Sequence, residues 1–501
     1  MSPLSITATA EPGHWGRGDN DTCSCRRRRR TLKDTYSGLL AAVTTHEQKP
    51  PSSLTATPMF EGFAVIDEPR GGRRTSTATR LEPIFEPPER HIRGARHSSR
   101  SPPREADAKL CHTLARELKN SGVRGSLTWE LSMRVLIAGA GIAGLSAARA
   151  LETKGIECEV VERREQPSTE GAGIFLLGNA ARALGDLGLL ADVRSVAYPI
   201  ATQRILSSSG SVLNDVRTAE VWKDCGPCLA LSRQSLAAIL QSSLKPGTVS
   251  YGLEAVSTAS RGEKRMVRFS DGREREYDLV VGAAGVNSPL RNAVFGPSAA
   301  RQIDISCWRL VVPNNGEIDG WTAMLGNGRT LLGIPISEAE TYIYADCRTS
   351  EFGDGPVDVM KRLFSGFAGP LGPMMAALDP ATAVHRAILQ EVPAKRWIAD
   401  RHVLIGDAAH ACSPSMAEGA GMAIEDAVVL AELVAKGGPI DRILEGFHQA
   451  RIGRVAWVQK KSRARDKLRS GSSTIRNAVL RLFGDGLYRR TYEPLTRPLL
   501  P

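Results

Sequence analysis

The stretch from Leu404 to Ala427, LIGDAAHACSPSMAEGAGMAIEDA, sets an acid, a histidine and a proline between two glycine-bearing turns. The apolar run His402-Val403-Leu404-Ile405 predicts a short strand that ends at Gly406-Asp407. Glu418-Gly419-Ala420-Gly421 then opens an apolar helix that carries Glu425-Asp426. A strand, an acid, a glycine turn and a helix in that order bring backbone N–H groups and one carboxylate up to a polar cofactor. The same order could serve any turn between a strand and a helix. A second glycine site far upstream argues for the cofactor.

That second site is Arg134 to Gly144, RVLIAGAGIAG. Arg134 to Ala138 is nearly continuous in apolar residues, as a buried parallel strand requires. Gly139, Gly141 and Gly144 follow at G-x-G-x-x-G spacing, and Leu145 to Lys154 predicts the helix behind them. The first glycine permits the tight turn, the second lets backbone approach a pyrophosphate, and the third lets helix pack on strand. A second strand over Glu157 to Val161 ends at Glu162, placed to accept hydrogen bonds from a ribose diol. Strand, turn, helix, strand and acid together point to a dinucleotide.

Between the two sites lies another buried strand, in DLVVGAAGVNSPLR from Asp278 to Arg291. Three separated pieces meeting on one cofactor resemble the single-component (group A) FAD-dependent aromatic-ring hydroxylases. The resemblance covers about Arg134 to Trp457. It implies an α/β fold: a Rossmann-like FAD-binding domain of the para-hydroxybenzoate hydroxylase type, an interleaved antiparallel-sheet substrate domain, and C-terminal helices. By the same resemblance, Gly139, Gly141 and Gly144 hold the pyrophosphate, Glu162 the ribose, and Arg163 lies near the adenine. Gly173-Ile174-Phe175-Leu176 matches the loop over the isoalloxazine. Arg233 matches a helix arginine that reaches FAD. Asp407, after Gly406, matches the acid on the ribityl chain, and the backbone of Pro414 matches the edge of the reactive flavin carbon. Gly419, Ala420 and Gly421 match a helix N-terminus aimed at the flavin pyrimidine, where its dipole stabilises a reduced, anionic ring.

The chain departs from the family pattern twice. The second signature reads Gly282-Ala283-Ala284-Gly285, with Ala284 where relatives carry an acid that helps with FAD and NAD(P)H. Glu418 stands where relatives often have glutamine, and a carboxylate beside the flavin would raise the cost of an anionic reduced ring unless it points away.

The implied reaction uses NADH or NADPH to reduce FAD. Oxygen then forms a C4a-hydroperoxyflavin, which hydroxylates a small aromatic or polycyclic substrate. Some relatives place a histidine base where this chain has Phe175, so a substrate that needs strong activation is disfavoured. Phe175 and Arg309 are the candidate substrate residues; Arg309 would pair with a substrate carboxylate. Trp308-Arg309 is expected to begin a strand of the substrate sheet. Two other readings stay open: a dehydrogenase or reductase on the same scaffold, and a regulatory protein that keeps FAD without turnover.

The remaining reactive residues have plainer readings. His410 is expected to be structural, and no histidine pair has metal spacing, so no metal site is expected. Cys225-Gly226-Pro227-Cys228 lacks the preceding strand of a redox motif and reads as a loop. Nine cysteines without a secretory signal fit a reducing cytoplasm.

The elements order as residues 133–197, 219–299 and 381–436 for the FAD-binding parts. Residues 198–218 and 300–380 make the substrate sheet, and 437–501 a helical segment. A helix is expected over Leu229 to Leu244. The C-terminal helix is basic on its polar face, at Lys460, Lys461, Arg463, Arg465, Lys467 and Arg469, and reads as solvated. Residues 1–132 carry +6 of the net charge of +11, with Arg26 to Arg30 and several Pro-Pro pairs but no sustained apolar periodicity. A basic, disordered extension is expected there, and translation is expected to begin at Met133. No nucleic-acid partner is expected, and no run of 18 or more apolar residues predicts a membrane span. A homodimer is left open.

Overall fold

The computed structural model describes residues 133–167, 172–296 and 300–500. The basic extension and the expected start at Met133 concern residues 1–132, which lie outside the described residues.

Six strands form the central sheet in the order Ile398–Ala399, His402–Leu404, Leu279–Gly282, Arg134–Ala138, Glu157–Glu162 and Val249–Tyr251. Its three innermost neighbours run parallel, with Ile137 registered against Val281 on one side and Val160 on the other. Val135, Leu136 and Ile137 are fully buried because the sheet is covered on both faces, which is why the strand reads as an unbroken apolar run. The following helix is Ile142–Thr153, starting three residues earlier than the sequence suggested. It must begin beside Gly141 for its N-terminus to face the turn. The helix ends where Gly155 takes φ +74° and its neighbour Ile156 donates back to the Leu151 carbonyl at 3.1 Å.

Gly419–Ala435 packs along that helix, buried over most of its surface, which suits a segment apolar on nearly every face. Gly406 sits where the two helices converge. A Cβ there would lie 2.8 Å from Ala143 Cβ and 3.3 Å from Ala423 Cβ, and its φ of +57° also excludes most side chains.

The second large sheet has seven strands, ordered His385–Glu391, Arg301–Pro313, Glu340–Cys347, Thr330–Pro335, Trp321–Leu325, Thr202–Ser207 and Val212–Arg217. It is antiparallel except where Trp321–Leu325 runs parallel to Thr202–Ser207. Its edge strand His385–Glu391 lies beyond residue 380, where the substrate sheet was drawn to end. Trp308 and Arg309 sit inside the strand Arg301–Pro313 rather than at its start. Trp308 anchors this sheet's own apolar core with Leu310, Ile343, Phe364 and Leu371.

Leu229 to Ser232 corrects the expected helix: it is a strand, paired antiparallel with Gly173–Leu176. The helix starts at Arg233, where the Ser232 hydroxyl accepts the Ser235 N–H. A Leu-Ala-Leu run with a partner strand at hand outweighs helix propensity, and the serine cap then sets the boundary. Two long helices, Ile440–Ser470 and Ser473–Thr496, complete the chain. Among the described residues no helix is long and apolar enough to cross a membrane.

Candidate active site

The two glycine sites come together: Gly406 stands against Ala143, in the first turn of the helix that follows Gly139 and Gly141. Gly139 turns with φ +116°, and a Cβ there would lie 2.6 Å from the Ala283 carbonyl oxygen. A Cβ on Gly144 would lie 1.8 Å from the Gly139 oxygen, so helix and turn pack backbone to backbone. Above Gly141 a Cβ would meet nothing within 4 Å. The first and third glycines therefore serve packing, and the second leaves room for a ligand. The helix Ile142–Thr153 begins with no side-chain cap, so its first N–H groups are free to bind an anion. Glu162 accepts the Ala140 N–H at 3.0 Å and the Arg164 N–H at 3.1 Å, which ties the second strand's end to the turn. Arg163 is exposed beside it.

At the other end, Asp407 opens a one-turn helix after Gly406 and is exposed. Gly419 is next to it: a Cβ there would stand 3.9 Å from Asp407 Oδ1. The helix Gly419–Ala435 also starts without a side-chain cap. Arg233 is within electrostatic reach of Asp407 and Arg309: desolvation by the surrounding protein lowers its pKa, the Asp407 carboxylate opposes that shift, and Arg309 adds to it. Pro414 is exposed, and Ala420 is half-buried. Leu176 and Phe175 are buried in the main core, and Gly421 is buried against Asn179 and Ala180.

Arg309 is the link to the substrate sheet. It lies opposite Tyr344 in the strand register and is close enough to Cys307, Tyr342 and Tyr344 to interact with each. Tyr342 is packed so tightly against the strand Gly173–Leu176 that a Cβ on Gly173 would lie 2.5 Å from Tyr342 Cβ. Burial pushes the Tyr342 phenol up to about 12, so it is a neutral donor at ordinary pH. Sequence reading missed both tyrosines and Cys307; the alternation through Glu340–Cys347 signals a half-buried strand without saying what each face meets.

Beneath the two turns runs a buried charge network. Gly406 N–H donates to Asp426 Oδ2 at 3.0 Å, and His410 Nε2 lies 2.6 Å from the same oxygen. Arg451 donates to Asp426 Oδ1 and to Glu425 Oε2, each at 2.8 Å, and Arg454 donates to both Glu425 oxygens. Burial alone would raise both acids; the adjacent His410 and arginines outweigh it and hold Asp426 and Glu425 below the usual carboxylate range. His410 is thus structural, fixing the Gly406 turn through Asp426. The signal for this network was the Glu425-Asp426 pair inside an apolar helix.

Glu418 resolves one departure from the family pattern. It is 2% exposed, and its Oε2 accepts from Asn179 Nδ2 at 3.0 Å. Burial, then the neighbouring Glu425, pushes its pKa to about 8. Glu418 is therefore predominantly protonated at pH 7 and brings no full charge to the helix N-terminus. Ala284 is exposed beside the Gly139 turn. Asp278 is turned elsewhere, accepting the Arg134 N–H at 2.9 Å and pairing with Lys264.

The residues fit an extended dinucleotide. An open glycine and two uncapped helix N-termini suit phosphate and an electron-rich ring, Arg233 and Asp407 are polar groups suited to the stretch between them, and Glu162 stands at the end of the second strand, beside the first turn. Among the described residues no cluster of three or more metal-ligating side chains forms. Cys225 and Cys228 are free thiols in the turn before the Leu229 strand.

Comparison with known proteins gives the same reading. A family model described as FAD binding domain matches residues 132–457. The chain is 34% identical over 378 residues to 2-heptyl-3-hydroxy-4(1H)-quinolone synthase of Pseudomonas aeruginosa, covering 72% of this chain and 97% of that protein. It is 30% identical over 331 residues to aurachin C monooxygenase/isomerase of Stigmatella aurantiaca, covering 64% and 86%. Klebsiella pneumoniae HpxO, solved with FAD and uric acid, superposes with a TM-score of 0.68 at 26% identity, covering 75% of this chain and 98% of that one.

Proposed function

Since the chain belongs to the single-component FAD-dependent aromatic hydroxylases, we propose that it hydroxylates a small aromatic or polycyclic ring that carries an oxygen function for Arg309 to hold. It is an FAD-dependent monooxygenase, and NADH or NADPH is the co-substrate. The observation that carries the substrate reading is the grouping of Arg309 and Tyr342 with Arg233 and Asp407. A cation and a neutral phenol beside the cofactor residues suit a carbonyl, enol or carboxylate on a flat ring. The names of the relatives agree in kind: a quinolone for one, uric acid for another, both fused heteroaromatic rings.

When bound, FAD supplies the electron transfer and oxygen activation. The chain's own residues bind and orient. Gly139, Gly141 and Gly144 with the first helix N-terminus hold the pyrophosphate, and Glu162 and Arg163 take the adenosine end. Asp407 and Arg233 take the polar chain between pyrophosphate and ring. The Gly419-Ala420-Gly421 N-terminus stabilises negative charge on the reduced ring, and neutral Glu418 leaves that field intact. Leu176 and Phe175 would give the bound group an apolar floor, and the Pro414 backbone would face its reacting edge. Arg309 fixes the substrate, with Tyr342 as donor.

In this reading residues 133–197, 219–299 and 392–436 serve FAD, and the seven-stranded sheet, with its edge strand His385–Glu391, serves the substrate.

The test is a purified protein assayed with NADH and NADPH in turn, under labelled O2. The panel comprises 2-heptyl-4(1H)-quinolone, urate, salicylate and 3-amino-4-hydroxybenzoate. Labelled oxygen in a product supports the reading. Flavin reduction by a panel compound without incorporation would support a dehydrogenase instead, and flavin inert to every addition a regulatory protein.

A further inference from the structure

The basic face of the C-terminal helix, expected to be solvated, is so at Lys460 and Lys467, whereas Arg463, Arg465 and Arg469 make contacts within the fold. Asp466 accepts from Ser413 Oγ at 2.7 Å and from Ser415 Oγ at 2.5 Å, one carboxylate oxygen for each. The two serines flank Pro414. Arg465, next in the chain, donates to the Ser415 carbonyl at 2.8 Å and to Tyr492 at 2.9 Å, and Tyr492 donates to the Met416 carbonyl at 3.1 Å. About two helical turns earlier, Gln459 donates to the His410 and Ala411 carbonyls at 3.0 and 3.3 Å. The loop from 411 to 417 is thus held along its length by Gln459, Arg465 and Asp466 of one helix, with Tyr492 of the next. Ala417, at its end, holds φ +55°, a conformation that a residue with a Cβ keeps only where its surroundings impose it.

The same helix reaches the other sheet. Arg469, three residues after Asp466 and on the same face, pairs with buried Asp346 of the strand that carries Tyr342 and Tyr344. From the following helix, Ser473–Thr496, Arg476 adds to the contact, donating to the Gly326 and Leu325 carbonyls at 2.7 and 3.2 Å. One rigid helix therefore fixes the cofactor loop with Asp466 and the substrate sheet with Arg469.

We propose that Asp466 is a positioning residue for oxygen transfer: through Ser413 and Ser415 it sets the Pro414 loop at a fixed distance from the substrate sheet, which Arg469 holds through Asp346. The proposal rests on the reading that the Pro414 loop lies at the reacting edge of the flavin. Its consequence is selective. Electron transfer from NAD(P)H does not need that spacing, whereas oxygen transfer to a substrate ring does, because a small misplacement of reacting atoms is costly. Loosening the loop should leave NAD(P)H oxidation running and divert reduced oxygen to hydrogen peroxide.

Asp466→Ala, Asp466→Asn and the Ser413→Ala/Ser415→Ala double variant test this, with two readouts. The first is amide hydrogen exchange of the FAD-free protein over residues 411–418 and 419–435. Asp466→Ala and the double-serine variant should both speed exchange in 411–418 by about tenfold and leave 419–435 unchanged. Asp466→Asn, which keeps acceptor capacity, should fall between. The second is hydrogen peroxide formed per NAD(P)H consumed, with whichever panel compound the wild type hydroxylates. That fraction should rise several-fold while NAD(P)H oxidation stays within a factor of about two. Combining Asp466→Ala with the serine changes should add little, since they remove the same contact. Unchanged exchange in 411–418, or loosened exchange across the whole chain in all three variants, overturns the proposal. Wild-type hydroxylation with an unaltered peroxide fraction in Asp466→Ala overturns it too. A wild type that hydroxylates nothing on the panel defeats the reading of the reaction instead, and is told apart by that control.

Discussion

Glu418 and Asn179, far apart in sequence, share a buried hydrogen bond of 3.0 Å from Asn179 Nδ2 to Glu418 Oε2. The same nitrogen donates to Glu425 Oε1 at 3.0 Å. One amide thus bridges two acids of unlike character. Glu425 has Arg451 and Arg454 beside it and stays ionised, whereas Glu418 keeps its proton. Two carboxyls this close separate in pKa because both cannot ionise cheaply.

A pH prediction follows from Glu418. Its folded pKa, about 8, is raised above the ordinary value of 4.5. Between those values the folded state binds the proton and the unfolded state does not, so stability falls as pH rises through that window. Glu418→Gln removes the titration. The variant should match wild type near pH 5 and exceed it at pH 9 by on the order of a few kcal/mol in denaturant unfolding. Parallel stability curves for the two proteins from pH 5 to 9 would contradict a buried, protonated Glu418.

The glycine turn makes a prediction by contrast. Gly141 has open space above it, while a Cβ on Gly144 would collide with the Gly139 carbonyl. Gly141→Ala should fold with wild-type thermal stability yet bind FAD at least about tenfold more weakly, because the methyl occupies the pyrophosphate's approach. Gly144→Ala should lose stability outright. Flavin-fluorescence titration of the FAD-free proteins, with circular dichroism melts alongside, separates the two effects. Equal FAD affinity in Gly141→Ala and wild type would place the pyrophosphate elsewhere.

Arg451 is fully buried between Glu425 and Asp426. Arg451→Met removes the cation that the two buried carboxylates share, leaving Asp426 with His410 and Glu425 with Arg454; breaking a buried pair costs about 3–5 kcal/mol in comparable sites. The sign with pH is opposite to that of Glu418. Glu425 and Asp426 are held below their ordinary values, so their contribution is present at neutral pH and is lost as pH falls through the folded pKa. The variant should therefore lose most stability at pH 7 and approach wild type in acid. Urea unfolding at pH 7 and at about pH 3, below both ordinary values, measures both, and a loss under about 1 kcal/mol at pH 7 would mean that the network contributes little.

Local chemistry explains what could be read from sequence. Gly139, Gly141, Gly144 and Glu162 are spaced by a turn whose geometry is fixed within thirty residues, so the pattern survives in one dimension. Gly406, Asp407 and the Gly419 helix are legible for the same reason. The Leu229 strand was misread because its pairing with Gly173–Leu176 is a tertiary fact that outweighs propensity. Tyr342 and Asp466 were invisible for a related cause. Their meaning lies in what they face, and Asp466 reaches Ser413 across more than fifty residues. A basic helix reads as solvated until Asp346 and Glu391 are seen to meet Arg469 and Arg463.

Arg309 carries the prediction on the substrate. It sits on the sheet among Cys307, Tyr342 and Tyr344, and it adds to the positive field at Arg233. If it holds an oxygen function of the substrate in both ground and transition states, Arg309→Gln should raise KM while kcat changes less. Loss of a charge-assisted hydrogen bond puts the fall in kcat/KM at about 10- to 100-fold. Arg309→Lys, a point charge without the planar fork, should recover part of that loss for a carboxylate and less for a flat ring edge bound by two parallel N–H groups. Steady-state kinetics of wild type and both variants, using the panel compound that wild type hydroxylates, reads this directly. NAD(P)H oxidation without substrate should be unaltered, because that step does not involve the oxygen function. An Arg309→Gln enzyme with wild-type KM and a much lower kcat would instead make the arginine a transition-state element, and one with neither changed would remove it from the pocket.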